Sequence, residues 1–288
     1  MKNHSVMEIA TKDVKTIPLR STVMNALKSM VQYRFRRMPV ADAGTKKIMG
    51  ILSATDLISY LGGGDKYQIV EKRYQGNLAR AVNENVEEIM TRNVITLKET
   101  DSWKDAVKTM FEKKIGGCPI VDKEDKVIGI VTERDIVKFL AIQKRLDGYV
   151  RDYMQKNLLT ITPETTVGEA IKIIIGKKIR RLPVIAHNHI IKLIVSTDFL
   201  RYFSGEAFKL IETGTIEEAL NKKIGELIEA SDVLKYKEPL IFHPGDKISD
   251  LVEAMLENRA GSALVEENGA LIGIITERDL MRFLYENM

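Results

Sequence analysis

The chain has 288 residues, 44% of them hydrophobic and 29% charged, with a formal net charge of +4. That length allows two ordinary domains, and that balance describes a globular chain rather than a disordered one; so small a net charge gives no basis for a nucleic-acid or membrane partner. A single cysteine, Cys118, excludes an internal disulfide and fits a reducing compartment.

Neither a signal-peptide core nor an apolar run of membrane-spanning length occurs, so a cytoplasmic location is the expectation. The abundance of Lys, Glu and Arg suits a thermophile.

Taken in order, the chain opens on a short apolar strand at Val14 to Ile17. An amphipathic helix follows, carrying Val23, Ala26, Leu27, Met30 and Val31 at the i, i+3, i+4, i+7, i+8 spacing of one buried stripe. Next come a strand marked by Met38-Pro39-Val40, a polar turn, an apolar strand and a helix entered through Gly50-Ile-Leu-Ser-Ala-Thr-Asp56. A proline inside a strand predicts an edge strand or a strand start, because Pro cannot donate to a ladder.

The same order then recurs three times. First strands are expected at Val94 to Leu97, Leu158 to Ile161 and Leu240 to Phe242. The helical stripe returns as Trp103, Ala106, Val107, Met110, Phe111; as Val167, Ala170, Ile171, Ile174, Ile175; and as Ile248, Leu251, Val252, Met255, Leu256. The middle strand returns as Cys118-Pro119-Ile120, Leu182-Pro183-Val184 and Ala263-Leu264-Val265. The closing motif returns as Gly129-Ile-Val-Thr-Glu-Arg-Asp135, Lys192-Leu-Ile-Val-Ser-Thr-Asp198 and Gly273-Ile-Ile-Thr-Glu-Arg-Asp279.

The separations of the four Asp anchors alternate as 79, 63 and 81 residues, so the chain reads as two modules of two repeats each. The extra residues lie inside each module: one insertion opens at Leu61-Gly-Gly-Gly64 and runs to about Val86, the other opens at Ser204-Gly205 and runs to about Ile224. Gly62 to Gly64 reads as a helix stop. The break between modules is expected near Asp147-Gly148.

Strand, helix, strand, strand, helix, with an apolar-Pro-Val strand and a Gly-x-x-Ser/Thr-x-x-Asp finish, resembles the cystathionine-β-synthase (CBS) domain. Two such repeats resemble a Bateman module, and two modules resemble the gamma subunit of AMP-activated protein kinase and the archaeal stand-alone proteins with four repeats; Leu61-Gly-Gly-Gly-Asp-Lys-Tyr67 and Asn93-Val-Ile-Thr-Leu-Lys-Glu99 carry the latter likeness. The resemblance implies an α/β (α+β) fold of four CBS repeats in two tandem Bateman modules, residues 1–146 (repeats about 8–61 and 86–142) and 147–288 (repeats about 150–203 and 224–288). It also implies a non-enzymatic sensor that binds AMP, ADP or ATP in clefts between paired repeats and signals to a partner protein, with no catalytic residue, cofactor or metal, and with homodimerisation expected. Membrane and nucleic-acid partners are not expected. The alternatives are a module for S-adenosylmethionine or methylthioadenosine and a nucleic-acid-binding scaffold.

The resemblance assigns the ribose hydroxyls to Asp56, Asp135, Asp198 and Asp279, with Ser53, Thr132 and Thr276 contacting ribose or phosphate. A carboxylate suits two vicinal hydroxyls, yet Ser/Thr-x-x-Asp is equally a helix capping box, and the two roles are compatible. The third repeat departs from the pattern, with Val195 for the hydroxyl and Lys192 for the glycine.

Five residues before the marker proline, or its Leu264 equivalent, stand Arg34, Lys114, Lys178 and Arg259, which the resemblance places on phosphate; a cation complementing a helix C-terminus is the plain alternative. Arg134 and Arg278 are further phosphate candidates, as are Arg36, Arg37, Arg180 and Arg181. For adenine the resemblance points to the first strands, which by position means Thr16, Ile95, Thr96, Leu159 and Thr160; ordinary strand core is the plain alternative. His187 and His189 flank Asn188 in an expected turn, and Cys118 is expected to be a buried, inert thiol.

Overall fold

A computed structural model describes residues 4–143, 146–212, 216–230 and 238–288. After a one-turn helix α1 (Val6–Ile9), the first repeat comprises β1 (Ile17–Pro18), α2 (Val23–Tyr33), β2 (Arg37–Ala41), β3 (Ile48–Ser53) and α3 (Ala54–Leu61). Its insertion forms α4 (Tyr67–Tyr74) and α5 (Leu78–Ala81). The second repeat is β4 (Leu97–Lys98), α6 (Trp103–Glu112), β5 (Gly117–Val121), β6 (Val127–Thr132) and α7 (Glu133–Ile142), and α8 (Val150–Tyr153) leads on. The third repeat holds α9 (Val167–Gly176), β7 (Arg181–Ala186), β8 (His189–Val195) and α10 (Ser196–Ser204), with α11 (Glu206–Glu212), α12 (Ile216–Asn221) and α13 (Ile224–Ala230) in its insertion. The fourth is β9 (Ile241–Phe242), α14 (Ile248–Glu257), β10 (Ser262–Glu267), β11 (Ala270–Thr276) and α15 (Glu277–Glu286). The start of the fourth repeat between Ala230 and Glu238 lies outside the described residues.

The predicted stripes form the cores. In all four first helices the i, i+3, i+4 and i+7 members are buried, and the i+8 member packs half-buried at the margin. Each of these helices ends in the same way. The residue in the left-handed region donates to the carbonyl three back, and the next donates to the carbonyl five back: Arg34 to Val31 (3.3 Å) and Phe35 to Met30 (2.9 Å), with equivalent pairs after α6, α9 and α14. That is a Schellman stop. The hairpin β7–β8 turns through His187 and Asn188, both at positive φ (49° and 64°), as a two-residue turn that follows the strand twist requires.

Two expectations are corrected. The proline strand is central, not an edge, in the first two repeats, with sheet orders β1-β2-β3 and β4-β5-β6; in the third, β7 pairs with β8 and is bridged on its other side by Ile161, and the proline-free β10 is central in β11-β10-β9. The ladder tolerates proline because the short parallel neighbour bonds around it. Ile161 donates to the Pro183 carbonyl and accepts from Ile185, both at 2.9 Å, so no bond is asked of the proline nitrogen. First strands also start later than expected, at Ile17 and Leu97, and the third repeat retains only the bridge Ile161 to Val184.

The chain forms two compact units, which are not its two halves. One comprises Lys15–Val94 and Leu159–Glu238, the first and third repeats with both insertions; the other comprises Met1–Val14, Ile95–Leu158 and Pro239–Met288, the second and fourth repeats. The boundary expected at 146/147 falls inside this second unit, because the segment after it packs on the fourth repeat: Tyr149 bridges Lys247, and Gln155 bridges Ile274.

In the first unit, repeats one and three share one continuous apolar core, to which the insertions contribute Val70, Leu78, Ala207, Ile216 and Leu227. Buried Tyr60 and Tyr202 tie their helices to the insertions through hydroxyl bonds to Ala81 (3.0 Å) and Ala219 (2.9 Å). In the second unit the buried apolar residues form two clusters, each completed by the other repeat's second helix: Met281 and Leu284 of α15 join the cluster of the second repeat, and Val137 of α7 joins that of the fourth.

The motif glycine is explained by packing. A Cβ on Gly50 would sit 2.2 Å from the Met90 sulfur, and one on Gly273 would sit 2.8 Å from that of Met154. In each case the segment preceding the next or an earlier repeat lies directly on the strand. We expect Gly50→Ala to destabilise the protein by about 1–3 kcal/mol through overpacking; adding Met90→Ala should recover part of the loss in urea unfolding.

Candidate functional site

All four anchor carboxylates occupy the same place, the third residue of a second helix, where one oxygen folds back on the strand end. Asp135 Oδ2 accepts the Thr132 amide (2.8 Å) and hydroxyl (2.6 Å). Asp56 and Asp279 repeat this with Ser53 and Thr276 at 2.6 to 2.9 Å. Asp198 keeps the backbone bond, from Val195 at 2.8 Å, without a hydroxyl. The capping role is therefore present in every repeat, and it consumes Oδ2 and leaves Oδ1.

What meets Oδ1 differs. Lys66 donates to Asp56 Oδ1 and also to the Ile89 carbonyl. Arg201 Nη1 donates to Asp198 Oδ1 at 2.6 Å. The Gln155 amide donates to Asp279 Oδ1 at 3.0 Å. Asp135 Oδ1 has no hydrogen-bond partner among the described residues. Burial pushes the Asp135 carboxyl above its ordinary range, against the pull of the Thr132 bonds, and nearby Glu277 adds to the rise.

The four aligned cations also share one place. Arg34, Lys114, Lys178 and Arg259 are the left-handed residues of the four Schellman stops, with φ of 57°, 55°, 53° and 48°, and all are exposed. Arg34, Lys114 and Lys178 make no ion pair among the described residues.

In the second unit the remaining phosphate candidates join this geometry. Arg278 Nε bonds Glu133 Oε1 (2.8 Å) and its Nη2 bonds the Lys114 carbonyl (3.1 Å). Reciprocally, Arg134 Nε bonds Glu277 Oε1 (2.8 Å) and its Nη2 bonds the Arg259 carbonyl (3.0 Å). Each repeat thus lends an arginine to the cap of the other: Arg278 to the carbonyl of Lys114, and Arg134 to that of Arg259. Glu133 and Glu277 are buried at 2% and 3% side-chain exposure.

The first unit lacks this exchange. Ala54 and Ser196 stand where the glutamates would be, and Arg36 and Arg180 supply the carbonyls bonded by their amides (both 3.0 Å); Arg37 and Arg181 begin β2 and β7.

Thr16, Ile95, Thr96, Leu159 and Thr160 precede the paired residues of their first strands; Leu159 and Thr160 are exposed, and the Ile95 carbonyl accepts the Cys118 thiol at 2.9 Å. Cys118 is buried, and desolvation pushes its thiol up to about 12, as expected for an inert group. Lys192, the residue in place of the motif glycine, is buried and paired with Glu238 at 3.1 Å. Among the described residues no cluster of metal-ligand type occurs, and no helix is long and apolar enough to cross a membrane.

Sequence reasoning missed Lys66, Gln155, Arg201, Glu133 and Glu277. Arg201 was legible as an i+3 partner of Asp198. The repeated Thr-Glu-Arg-Asp marked the glutamates, but Lys66 and Gln155 carry no local signal.

The CBS-domain family model matches residues 6–63, 86–142, 150–205 and 230–286. The chain belongs to the CBS-domain family. The uncharacterised protein MJ1225 of Methanocaldococcus jannaschii is 34% identical over 281 residues, covering 96% of this chain and 98% of that protein. Its crystal structure, described as that of a candidate archaeal homologue of g-AMPK, aligns with a TM-score of 0.89 at 33% identity over 97% of this chain and 99% of that one. A conserved uncharacterised protein of Pyrococcus horikoshii shares the fold at 21% identity, with a TM-score of 0.59 over 97% of this chain and 99% of its own.

Two predictions follow from the geometry of the CBS repeats. Arg134→Met strips a guanidinium from buried Glu277 and should cost about 3 kcal/mol; Arg134→Met with Glu277→Met should return most of it in a double-mutant cycle. Asp135→Asn keeps the capping oxygen and removes a desolvated charge. Because the folded carboxyl titrates above its unfolded value, the wild type gains stability as pH falls through that raised pKa. Asp135→Asn should therefore be as stable as wild type or more so at pH ~7, and that relative advantage should shrink toward pH ~3.5 in parallel urea titrations.

Proposed function

We propose that the protein binds adenine nucleotides and acts as a regulatory sensor rather than a catalyst, taking AMP, ADP or ATP as ligands. One observation carries the reading: in the second unit neither anchor Oδ1 accepts a hydrogen bond from a cation among the described residues, and each anchor lies in a repeat whose cap carbonyl is bonded by an arginine of the other repeat. A carboxylate oxygen suits a ribose hydroxyl, and a lysine–arginine or arginine–arginine pair suits a phosphate chain. The description of MJ1225 as a candidate homologue of g-AMPK, across nearly the whole chain, supports the same ligand class.

The tandem pairing of repeats, residues 1–146 and 147–288, belongs to this reading. It is supported by Met90 of the second repeat's leader lying on Gly50 of the first, and by Met154 of the third repeat's leader lying on Gly273 of the fourth. A ligand with different affinities for two arrangements of the repeats shifts the population between them, and a partner protein or second copy of the chain would read that shift.

Isothermal titration and thermal melting with AMP, ADP, ATP, S-adenosylmethionine and methylthioadenosine test the proposal. A nucleotide at one hundred times its Kd should add about 2.7 kcal/mol of stability. Lys114→Ala with Arg259→Ala should weaken ATP by roughly ten- to a hundredfold and leave adenosine unchanged. Equal loss for phosphate-free ligands, or a response only to S-adenosylmethionine, would turn the assignment to that compound class.

A further inference from the structure

We propose that the four repeats are unequal receptors: the protein's own cations close the anchor carboxylates of the first and third repeats, and Lys66 is the residue that closes the first. This rests on the nucleotide reading and decides which carboxylates are open to the ligand.

In the first, second and fourth repeats two cap bonds commit Oδ2 and leave Oδ1 for a ligand hydroxyl; in the third the Val195 amide holds Oδ2. In the first repeat Lys66 holds that oxygen together with the Ile89 carbonyl. Two acceptors from separate segments converge on one ammonium, and the side chains of Lys66 and Asp56 are 27% and 16% exposed. A ribose hydroxyl would have to displace a charged donor, and a neutral hydroxyl is the weaker competitor for a carboxylate. In the third repeat Arg201, one turn along α10, holds Asp198 Oδ1 at 2.6 Å.

The second and fourth repeats differ. Asp135 Oδ1 has no hydrogen-bond partner among the described residues. Asp279 Oδ1 takes a neutral amide from Gln155 at 3.0 Å, and its cation, Arg282, stands back at 4.0 Å. An amide yields to a hydroxyl more readily than an ammonium does, because no charge is stranded.

The closing lysine has a topological origin. After α3 the chain reverses through Gly62 to Gly64, with Gly63 at φ +85°, a conformation that favours glycine. Lys66 is thereby returned to the helix start. The described residues give Asp135 no such partner, and the segment after α7 lends Asp279 a neutral amide, from Gln155, rather than an ammonium.

The test is titration of the full chain with ATP and with AMP, by calorimetry and equilibrium dialysis, on the wild type, Asp56→Asn, Asp135→Asn/Asp279→Asn, Lys66→Met and Lys66→Met/Asp56→Asn, each first shown to melt cooperatively. The wild type should bind two nucleotides per chain. Asp56→Asn should change nothing, and the paired Asn variant should lose binding by a hundredfold or so. Lys66→Met should add a third site, at least about tenfold tighter than any wild-type binding there, which disappears again with Asp56→Asn. Loss of wild-type binding on Asp56→Asn, four sites in the wild type, or an unchanged isotherm for Lys66→Met would each overturn the inference while leaving the nucleotide reading standing. A wild type that binds none of AMP, ADP and ATP would remove that reading itself, so the wild-type isotherm separates the two failures. If Lys66→Met does not fold, Lys66→Gln and the indifference of the wild type to Asp56→Asn carry the decision.

Discussion

A carboxylate three residues beyond the end of a strand holds every repeat together at its turn into the second helix. The strand's last amide would otherwise point at the helix start with no partner, and the aspartate oxygen satisfies it in all four copies. The third repeat shows which part of the arrangement is indispensable. There valine replaces the hydroxyl residue, yet the bond from its amide to Asp198 survives at 2.8 Å. Because an aspartate has two oxygens and the turn uses one, the same residue can be structural and still face a ligand. The choice between cap and ribose acceptor is therefore not a choice at all at the level of the residue; it is settled separately for each oxygen.

The two compact units both join their repeats through apolar packing, and one of them adds an exchange of charges. Repeats one and three merge their apolar cores, with leucine, isoleucine and phenylalanine from α2, α3, α9 and α10 packed without a polar seam. Such a joint is stabilised in proportion to the area removed from water and has little directional preference. Repeats two and four trade buried apolar residues of α7 and α15 between two clusters and add a pair of arginines, each reaching a buried glutamate and a cap carbonyl of the other. Buried ion pairs add little net stability after desolvation, but they are directional and break sharply when one partner is withdrawn. The polar joint also gathers cations at the helix stops, and these are the groups that anionic ligands would address. In the unit whose repeats share one continuous core, Asp56 and Asp198 are already paired with Lys66 and Arg201.

The helix stops deserve the same two-level reading. A lysine or arginine in the left-handed region is an uncommon choice where glycine would be easier. Its recurrence four times means that the position tolerates the conformational cost for the sake of an exposed positive charge beside the negative end of a helix. Helix electrostatics and phosphate attraction both reward that charge, so the local geometry does not separate them.

By itself the sequence determined the repeat and its internal order. Helical stripes, strand runs, turn residues and the Asp anchors are local patterns, and each is enforced by neighbours a few residues away, so the four units, the inert buried thiol, the helical insertions and the stop at Gly62 were all readable. The proline strand was misplaced for a related reason: pattern shows that a nitrogen cannot donate, but only the ladder shows that no bond is asked of it. Tertiary structure alone decided which repeats share a unit, that Met90 and Met154 cover Gly50 and Gly273, that Arg134 and Arg278 are traded between repeats, and that Lys66 lies on one anchor and Gln155 on another. These facts join residues separated by as many as 164 positions. No periodicity encodes such pairings, because they arise from how finished elements pack, and four nearly identical elements can be packed in more than one way.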